Sequence, residues 1–247
     1  MRFITLSSSS AGNGYMLQAS SGQVLIIEAG VRLKQVKKAL DFDMTGIIGL
    51  ICSHAHNDHA KYVNEYLEFG MRCYMNEETR KAQANGNNFS NIRIVKEKEQ
   101  RVIGEFLIKP FLLEHDVENF GFLIHHHESG LICFITDTAY CPFTFKGLNN
   151  ILIEANYSND IIDRKLLDGT ANKFVRDRVL TYHMEFETTK AFLQANDLSK
   201  VANIVLLHLS MGNSDVNRFR KEVTALTGKQ VFIAEPGLNI ELNKTGI

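Results

Sequence analysis

The sequence has 247 residues, 45% of them hydrophobic and 22% charged, which is the composition of a globular protein with a sizeable core. A formal net charge of −1 excludes attraction of nucleic acid or anionic membranes by the field of the whole molecule, so any nucleic-acid substrate needs a local basic patch. No apolar run approaches the ~20 residues of a membrane helix, and four serines after Leu6 interrupt any signal peptide.

The cysteines indicate a reducing compartment. Cys52, Cys73, Cys133 and Cys141 form no CxxC pair, which argues against a zinc knuckle or a redox motif. Cys52 and Cys133 lie inside apolar runs, where we expect buried free thiols. We therefore predict a cytoplasmic protein without membrane contact.

The first half of the chain is predicted to begin with strands and continue with helices. The predicted strands are 2–6, 15–19, 24–28 and 46–52, with a turn at Ser21-Gly22. Helices are predicted at 31–40 and at 60–69.

The second half repeats this order. Its predicted strands are 105–113, 120–126, 131–136, 151–154, 202–207 and 231–234. Its predicted helices are 160–167, 171–178, 187–195 and 216–226. Two packed sheets with helices outside satisfy this order, and we expect a single domain over 1–247.

A histidine-rich run, His54-Ala55-His56-Asn57-Asp58-His59, directly follows an apolar strand. In an extended segment, His54 and His56 point the same way and can chelate one ion. Asp58 and His59 fall where the chain turns into the next helix, and can reach a second ion. The alternative is a solvated surface loop, but the position at a strand end favours metal binding.

Four further residues repeat that position at strand ends: His115, Asp137, His183 and His208. Because the carboxyl ends of strands in open α/β sheets collect at one crevice, we expect these side chains to converge on the histidine-rich run. Apart from His183, the run and these strand ends together offer seven ligands. If both sites share Asp137, each site has at most four of them. Room remains there for a shared water or hydroxide.

The His-x-His-x-Asp-His run followed by three distant ligands resembles the metallo-β-lactamase superfamily over essentially the whole chain. The resemblance implies an α+β fold, an αβ/βα four-layer sandwich in which two mixed β-sheets pack face to face with helices outside. It implies a first metal on His54, His56 and His115 and a second on Asp58, His59 and His208, with Asp137 bridging both.

Segments 7–14, 152–156, 182–184 and 208–210 are similar to the YycJ-type branch, whose single-domain members are associated with phosphodiesterase or exonuclease chemistry. Glu28 stands where the superfamily commonly has aspartate, and Tyr62 stands where many members have glycine. Lactam-cleaving relatives with two zincs often have cysteine at the position of Asp137, so this chain is not expected to be a lactamase.

The ligand set predicts hydrolysis with two divalent ions, zinc first because imidazole suits it, with manganese or iron as alternatives. Two such ions lower the pKa of a bridging water and provide a hydroxide nucleophile at neutral pH. Asp58 either helps to orient or deprotonate that water or acts as a ligand alone. His183 is the candidate acid for the leaving group or a phosphate contact, and a structural histidine bonded to backbone fits equally well.

Other polar clusters have ordinary interpretations beside functional ones. Asp116 either holds a ligand imidazole or faces solvent. The histidines at 125–127 are expected on the surface of a hairpin. The serines and glycines of 7–14 form either a phosphate-binding loop or a flexible turn. The basic residues of 164–178 form either a lid over the site or a solvated helix pair.

We expect a phosphodiesterase or nuclease that acts on DNA or RNA ends. The alternative is a small-molecule hydrolase of the same fold, cleaving a thioester, a lactone or a cyclic phosphodiester. A non-catalytic metal-binding sensor is the third possibility. A structural zinc site closes four ligands, often with cysteine, whereas this chain offers seven ligands and no thiol cluster, which favours catalysis.

Overall fold

The computed structural model describes residues 1–84, 89–169 and 180–244. The strands in these ranges are β1 (Arg2–Ser9), β2 (Gly12–Gln18), β3 (Val24–Ile27), β4 (Ile47–Ile51), β5 (Cys73–Met75), β6 (Ile92–Ile94), β7 (Arg101–Ile103), β8 (Phe106–Leu113), β9 (Asn119–His126), β10 (Gly130–Ile135), β11 (Leu148–Glu154), β12 (Asn203–Leu207), β13 (Gln230–Ile233) and β14 (Asn239–Glu241). The α-helices are α1 (Leu33–Ala39), α2 (Asn57–Ala60), α3 (Val63–Glu68), α4 (Glu77–Gln83), α5 (Asn159–Leu167), α6 (Phe186–Ala195) and α7 (Val216–Thr227), and a 3₁₀ turn spans Phe89–Asn91. None of these helices is long and apolar enough to cross a membrane.

The strands form two sheets with the same pattern of strand directions. The first sheet has the order β14-β1-β2-β3-β4-β5-β6, and the second has the order β13-β12-β11-β10-β9-β8-β7. In the first sheet the pairs from β14 to β3 are antiparallel and those from β3 to β6 are parallel. In the second sheet the pairs from β7 to β10 are antiparallel and those from β10 to β13 are parallel. Both sheets are therefore mixed, as the sequence predicted.

Alternating side chains along the strands build the layers. Tyr15 and Leu17 of β2 lie in the central core between the sheets, whereas Met16 packs with α1 and α3 on the outer face. In β10, Phe134 lies in the central core and Cys133 lies in the outer core beneath α6 and α7. Helix, sheet, sheet and helix thus form four layers, which confirms the predicted α+β sandwich.

The helix predicted at 60–69 is broken near its start. Tyr62 N–H donates to the carbonyl of Ala29 at 2.9 Å, rather than continuing the hydrogen bonds of α2. The chain therefore forms two short helices, and Tyr62 precedes the second of them. The helix predicted at 171–178 lies outside the described residues.

All four cysteines are free, and Cys52 and Cys133 are buried as the sequence predicted. Burial raises the pKa of Cys73 to about 12 and that of Cys141 to about 11. These thiols are poor metal ligands at neutral pH, because a metal binds the thiolate. The cytoplasmic location remains a prediction.

Glycine at position 30 lets the β1–β2 hairpin approach α2. A Cβ atom at Gly30 would lie 1.7 Å from the carbonyl oxygen of Asp58 and 2.6 Å from the backbone nitrogen of Asn13. Both neighbours are backbone atoms, so neither can rotate away. This close approach fixes the helix that carries Asp58 and His59 against the first sheet.

We expect Gly30→Ala to lower the free energy of unfolding by about 1–3 kcal/mol, because the methyl group has no space and must displace α2. Urea unfolding followed by circular dichroism measures this loss. Gly212→Ala is the matched control, because its Cβ would meet the flexible end of Lys165 alone. Equal stability of the two variants would contradict the assigned role of Gly30.

Candidate metal centre

The histidine-rich turn connects β4 to α2. His56 has an extended backbone and directly precedes α2. Asp58 and His59 therefore lie within the helix, whereas His54 lies before it. The ring centroids of His54 and His56 are 4.8 Å apart. Nδ1 of His54 lies 2.8 Å from Ser53 Oγ, which leaves Nε2 to face the other candidate ligands.

His54, His56, His115 and Asp137 form a first group, whose potential ligand atoms lie within 4.8 Å of one another. His115 follows β8, and its ring centroid lies 4.9 Å from that of His54 and 4.8 Å from that of His56. Nε2 of His115 is 3.1 Å from Nδ1 of His56. Three imidazoles and a carboxylate at this spacing suit one divalent ion.

Asp58, His59, Asp137 and His208 form a second group with the same spread of ligand atoms. Oδ1 of Asp137 lies 3.2 Å from Nε2 of His59 and 3.0 Å from Nδ1 of His208. Oδ2 of Asp58 lies 3.4 Å from Nε2 of both imidazoles. Because Asp137 belongs to both groups, its carboxylate is placed to contact two ions.

Several imidazole nitrogens of these groups are buried and make no hydrogen bond within the described part of the chain. They are His54 Nε2, His115 Nδ1 and His208 Nε2. His59 turns Nδ1 toward Glu28 and Nε2 toward Asp58 and Asp137, so Nε2 is its metal-facing atom. A buried polar atom without a partner costs about 1–3 kcal/mol, and a bond to a metal ion would remove that cost. The side chains present therefore fit two divalent ions.

The two groups differ in their protonation. Burial lowers the pKa of His54 and His115, so these imidazoles are neutral at pH 7. Burial also lowers the pKa of His59 and His208, but nearby carboxylates, that of Asp137 first, raise it well above the ordinary value. Without metal, the second group therefore holds protons that the first group lacks.

Glu154 is a member of this centre that the sequence analysis did not assign. Its side chain is buried at the end of β11, with Oε1 2.7 Å from Nδ1 of His183 and 3.1 Å from Nδ1 of His208. Its Oε2 accepts two backbone N–H groups at 3.1 and 3.3 Å. A carboxylate that ends an apolar strand beside the strands of Asp137 and His208 was the available signal.

His183 lies beside the second group and is bonded to a side chain, rather than to backbone. Its side chain is 14% exposed, and its ring centroid is 5.2 Å from that of His208. Burial lowers the pKa of His183, but the Glu154 carboxylate and its hydrogen bond raise it above the ordinary value. With Nδ1 bound to Glu154, Nε2 is the nitrogen left for a substrate.

Hydrogen bonds through the β1–β2 hairpin connect residues of the two sheets. The backbone N–H of His208 donates to Ser8 Oγ at 2.8 Å, and Ser8 Oγ lies 2.7 Å from the Tyr15 hydroxyl. Tyr15 donates to Asn13 Oδ1 at 3.3 Å, and Asn13 Nδ2 lies 2.9 Å from Nε2 of His59. The serine run thus belongs to a strand that supports the centre, instead of the flexible turn considered from sequence.

Three residues of the centre have a strained backbone. Glu28, Asp137 and His208 have φ angles of 70°, 50° and 51°, in the left-handed region that side chains rarely adopt. Glu28 is buried, accepts the backbone N–H of Ser53 at 3.3 Å and lies 3.5 Å from Nδ1 of His59. The glutamate therefore reaches the His59 imidazole from a position where the superfamily commonly has aspartate.

Asp116 stands at the rim of the first group. Its Oδ1 lies 3.2 Å from Nε2 of His56 and 3.2 Å from Nε2 of His115, and its side chain is 30% exposed. Asp116 therefore contacts two imidazoles and solvent at once, so it combines the two positions considered from sequence.

The histidines at the β9–β10 hairpin lie away from these groups. His125 and His127 are exposed, as expected, whereas His126 is buried. His126 Nε2 lies 3.2 Å from a Glu105 oxygen, and Nδ1 accepts the backbone N–H of Glu128 at 3.2 Å. Both nitrogens of His126 are thus satisfied by protein, which gives this residue a structural role.

Comparison with known proteins agrees with this architecture, although no protein-family model matches the sequence. Exodeoxyribonuclease YycJ of Bacillus anthracis is 23% identical over 97% of this chain and 92% of its own length. The metallo-β-lactamase fold protein YhfI from Bacillus subtilis superposes with a TM-score of 0.72 at 16% identity, covering 97% of this chain and 98% of YhfI. Zn²⁺-bound PqqB from Methylobacterium extorquens superposes with a TM-score of 0.70 at 12% identity, covering 98% of this chain and 100% of PqqB. The chain has the metallo-β-lactamase fold, and the predicted resemblance to that superfamily and its YycJ-type branch is confirmed.

We expect the two groups to release different numbers of protons on metal binding at pH 7. A metal displaces protons from its ligands, so an ion at His54 and His115 releases none from them, whereas one at His59 and His208 releases one from each. Zinc titration calorimetry in two buffers of different ionisation enthalpy measures the number of protons released for each zinc ion bound. Equal proton release by the first and second equivalents of zinc would contradict the assignment.

Proposed function

We propose that this protein is a metal-dependent hydrolase that cleaves phosphodiesters, with nucleic-acid ends as its substrate. The observation that carries the proposal is the pair of ligand groups that share Asp137 and contain buried imidazole nitrogens without partners. A structural site closes on one ion, whereas two adjacent groups with a shared carboxylate are typical of two-metal hydrolases. The name of the YycJ relative supports nuclease chemistry.

The first ion would be held by His54, His56 and His115 and the second by Asp58, His59 and His208, with Asp137 touching both. When bound, two divalent ions provide Lewis acidity that activates water and stabilises charge on the phosphate oxygens. Zinc is the first choice because imidazoles predominate, and the hard carboxylates leave manganese or iron as alternatives.

His183 and Glu154 provide acid catalysis in this proposal. Glu154 holds Nδ1 of His183 at 2.7 Å, and its carboxylate raises the pKa of the imidazole. The Glu154 charge therefore favours the protonated imidazole, which carries a proton on Nε2. Nε2 can then donate that proton to the leaving oxygen. Asp58, 20% exposed and facing the second group, is available to orient the attacking water.

One observation favours the alternative, a small-molecule hydrolase that cleaves a thioester, a lactone or a cyclic phosphodiester. Glu114, Asp116 and Glu118 are exposed next to the first group, so this side of the centre repels a long polyanion. A nucleic acid must therefore approach from another side.

Hydrolysis of bis-p-nitrophenyl phosphate by protein loaded with zinc, manganese or iron is the first test. We expect Asp58→Ala and His208→Ala to reduce turnover roughly 100-fold or more, because loss of the outer partners of ligands alone costs 10–100-fold. His127→Ala, an exposed histidine distant from the centre, should retain full turnover. Absence of turnover by the wild-type protein with every metal would overturn the phosphodiester proposal in favour of thioesters and lactones.

The role of His183 can be separated from metal binding by the choice of leaving group. We expect His183→Gln to cleave thymidylyl-thymidine about 100- to 10 000-fold more slowly, because its alkoxide leaving group needs a proton. Bis-p-nitrophenyl phosphate has a weakly basic leaving group, so its turnover should change little. Metal content by mass spectrometry should equal that of wild type, and an equal loss with both substrates would exclude acid catalysis by His183.

A further inference from the structure

A surface of cations and aromatic rings extends from the metal centre across α1 and α3. It starts at Lys61, which directly follows α2. The backbone N–H of Lys61 donates to the carbonyl of Asn57, one helical turn earlier and next to the histidine-rich turn. We name it the cation–aromatic strip, and its members are Lys61, Tyr62, Arg32, Lys37, Phe69 and Phe42. The phosphodiesterase proposal does not use any of them.

The contacts within the strip place its members in order. The Lys61 ammonium lies 5.4 Å and the Arg32 guanidinium 4.8 Å from the centroid of the Tyr62 ring. Farther along both helices, the Lys37 ammonium lies 4.7 Å from the centroid of the Phe69 ring. Three of the five cation–π contacts within the described ranges thus fall on this one face.

Phe42 ends the strip in a left-handed backbone conformation. Its side chain is 73% exposed and its φ angle is 65°, a left-handed value that is strained for a bulky residue. The preceding Asp41, with φ of 48°, closes α1 through hydrogen bonds from Asp41 to Lys38 and from Phe42 to Lys37. That cap accounts for the backbone of both residues, but it does not account for an aromatic ring held in water at position 42.

Phe42 and Phe69 border the same open cavity of about 510 Å³, which Lys37 and Met44 also line. Asp43 and Thr45 complete its lining, so the cavity combines two aromatic side chains with one cation and one carboxylate, in a space large enough for a planar ring. Stacking on exposed aromatic rings holds nucleobases without regard to sequence, and neighbouring cations hold the backbone.

The charges on this face suit a phosphate chain. Helix α1 contains three lysines and no acidic residue. Lys34, Lys37, Lys38 and Lys61 make no ion pair with any residue in the described ranges, while Arg32 is paired with Glu65 at 2.6 Å. Asp41, Asp43 and Glu68 border the strip. The opposite rim, by contrast, exposes Glu114, Asp116, Glu118 and Glu78, and burial with the neighbouring Glu78 raises the pKa of Glu118.

We propose that the cation–aromatic strip binds single-stranded nucleic acid and leads its end to the metal centre. The proposal rests on the phosphodiesterase function for the chemistry of the substrate. It adds the path of the strand, which crosses α1 and α3 because the acidic rim repels it from the other side. An acidic peptide would satisfy the lysines, but it would leave the open cavity lined by Phe42 and Phe69 without a planar occupant.

The test measures binding of a fluorescein-labelled oligothymidylate by anisotropy in EDTA, in which no hydrolysis occurs. We expect Phe42→Asn and Phe69→Ala each to weaken binding about tenfold, since a stacked base contributes 1–3 kcal/mol. Asparagine tolerates a left-handed backbone, so Phe42→Asn should unfold at the same or a higher temperature than wild type. Val102→Ala, which removes an exposed apolar side chain on β7, is the control.

The lysines are tested by the dependence of binding on salt. We expect Lys37→Gln to reduce the slope of log K against log salt concentration by about 0.7, the value for one phosphate contact with a single strand. Phe42→Asn should leave that slope unchanged. Lys221→Gln, on α7 beyond the second sheet, should change neither affinity nor slope.

Turnover of bis-p-nitrophenyl phosphate separates this inference from the proposed function. Strip variants that lose oligonucleotide affinity but keep wild-type turnover of this small substrate would support the strip. Unchanged affinity in all strip variants would overturn it, and so would a wild-type protein that binds an acidic peptide but no oligonucleotide. Oligonucleotide binding through the strip without hydrolysis of any phosphodiester would refute the proposed function and leave the strip in place.

Discussion

Four carboxylates converge where the two sheets meet, and their mutual repulsion is the constraint on which the site depends. Asp137 and Glu154 come from the second sheet, and Glu28 and Asp58 come from the first. Buried charges of one sign persist only when opposite charge lies close to them. In the metal-free protein that charge comes from protons on His59 and His208. A metal ion would replace these protons and supply the opposite charge in their place.

Much of this centre could be predicted from one rule: polar residues that follow buried strands meet at one edge of the sheet. That rule placed His115, Asp137 and His208 correctly beside the histidine-rich run. It did not identify Glu154, because this residue ends a strand that was interpreted through its apolar positions alone. Nor could it identify Asn13, whose contact with His59 depends on a hairpin approach that only a glycine at position 30 permits.

Local charge was harder to predict than local structure. A net charge of −1 is compatible with a local basic patch, and the basic residues of 164–178 were the candidate in the sequence, although much of that segment lies outside the described residues. The structure instead offers cations on α1, because the helical period places its lysines on the outer side while Leu33 and Val36 are buried. Their relation to Phe42 and Phe69 depends on how α1 packs beside α3. That packing is tertiary, and no pattern within either segment predicts it.

The position of β14 has a consequence for how the chain folds during synthesis. Phe3 pairs with Ile240, so the edge of β1 stays open until residue 240 has been made. Contacts between such distant residues slow folding, because a long loop must close before they form. An unpaired edge is also a template for strands of other molecules. The nascent protein therefore carries an aggregation-prone edge until β14 has been made, and closure of that edge by β14 completes the first sheet.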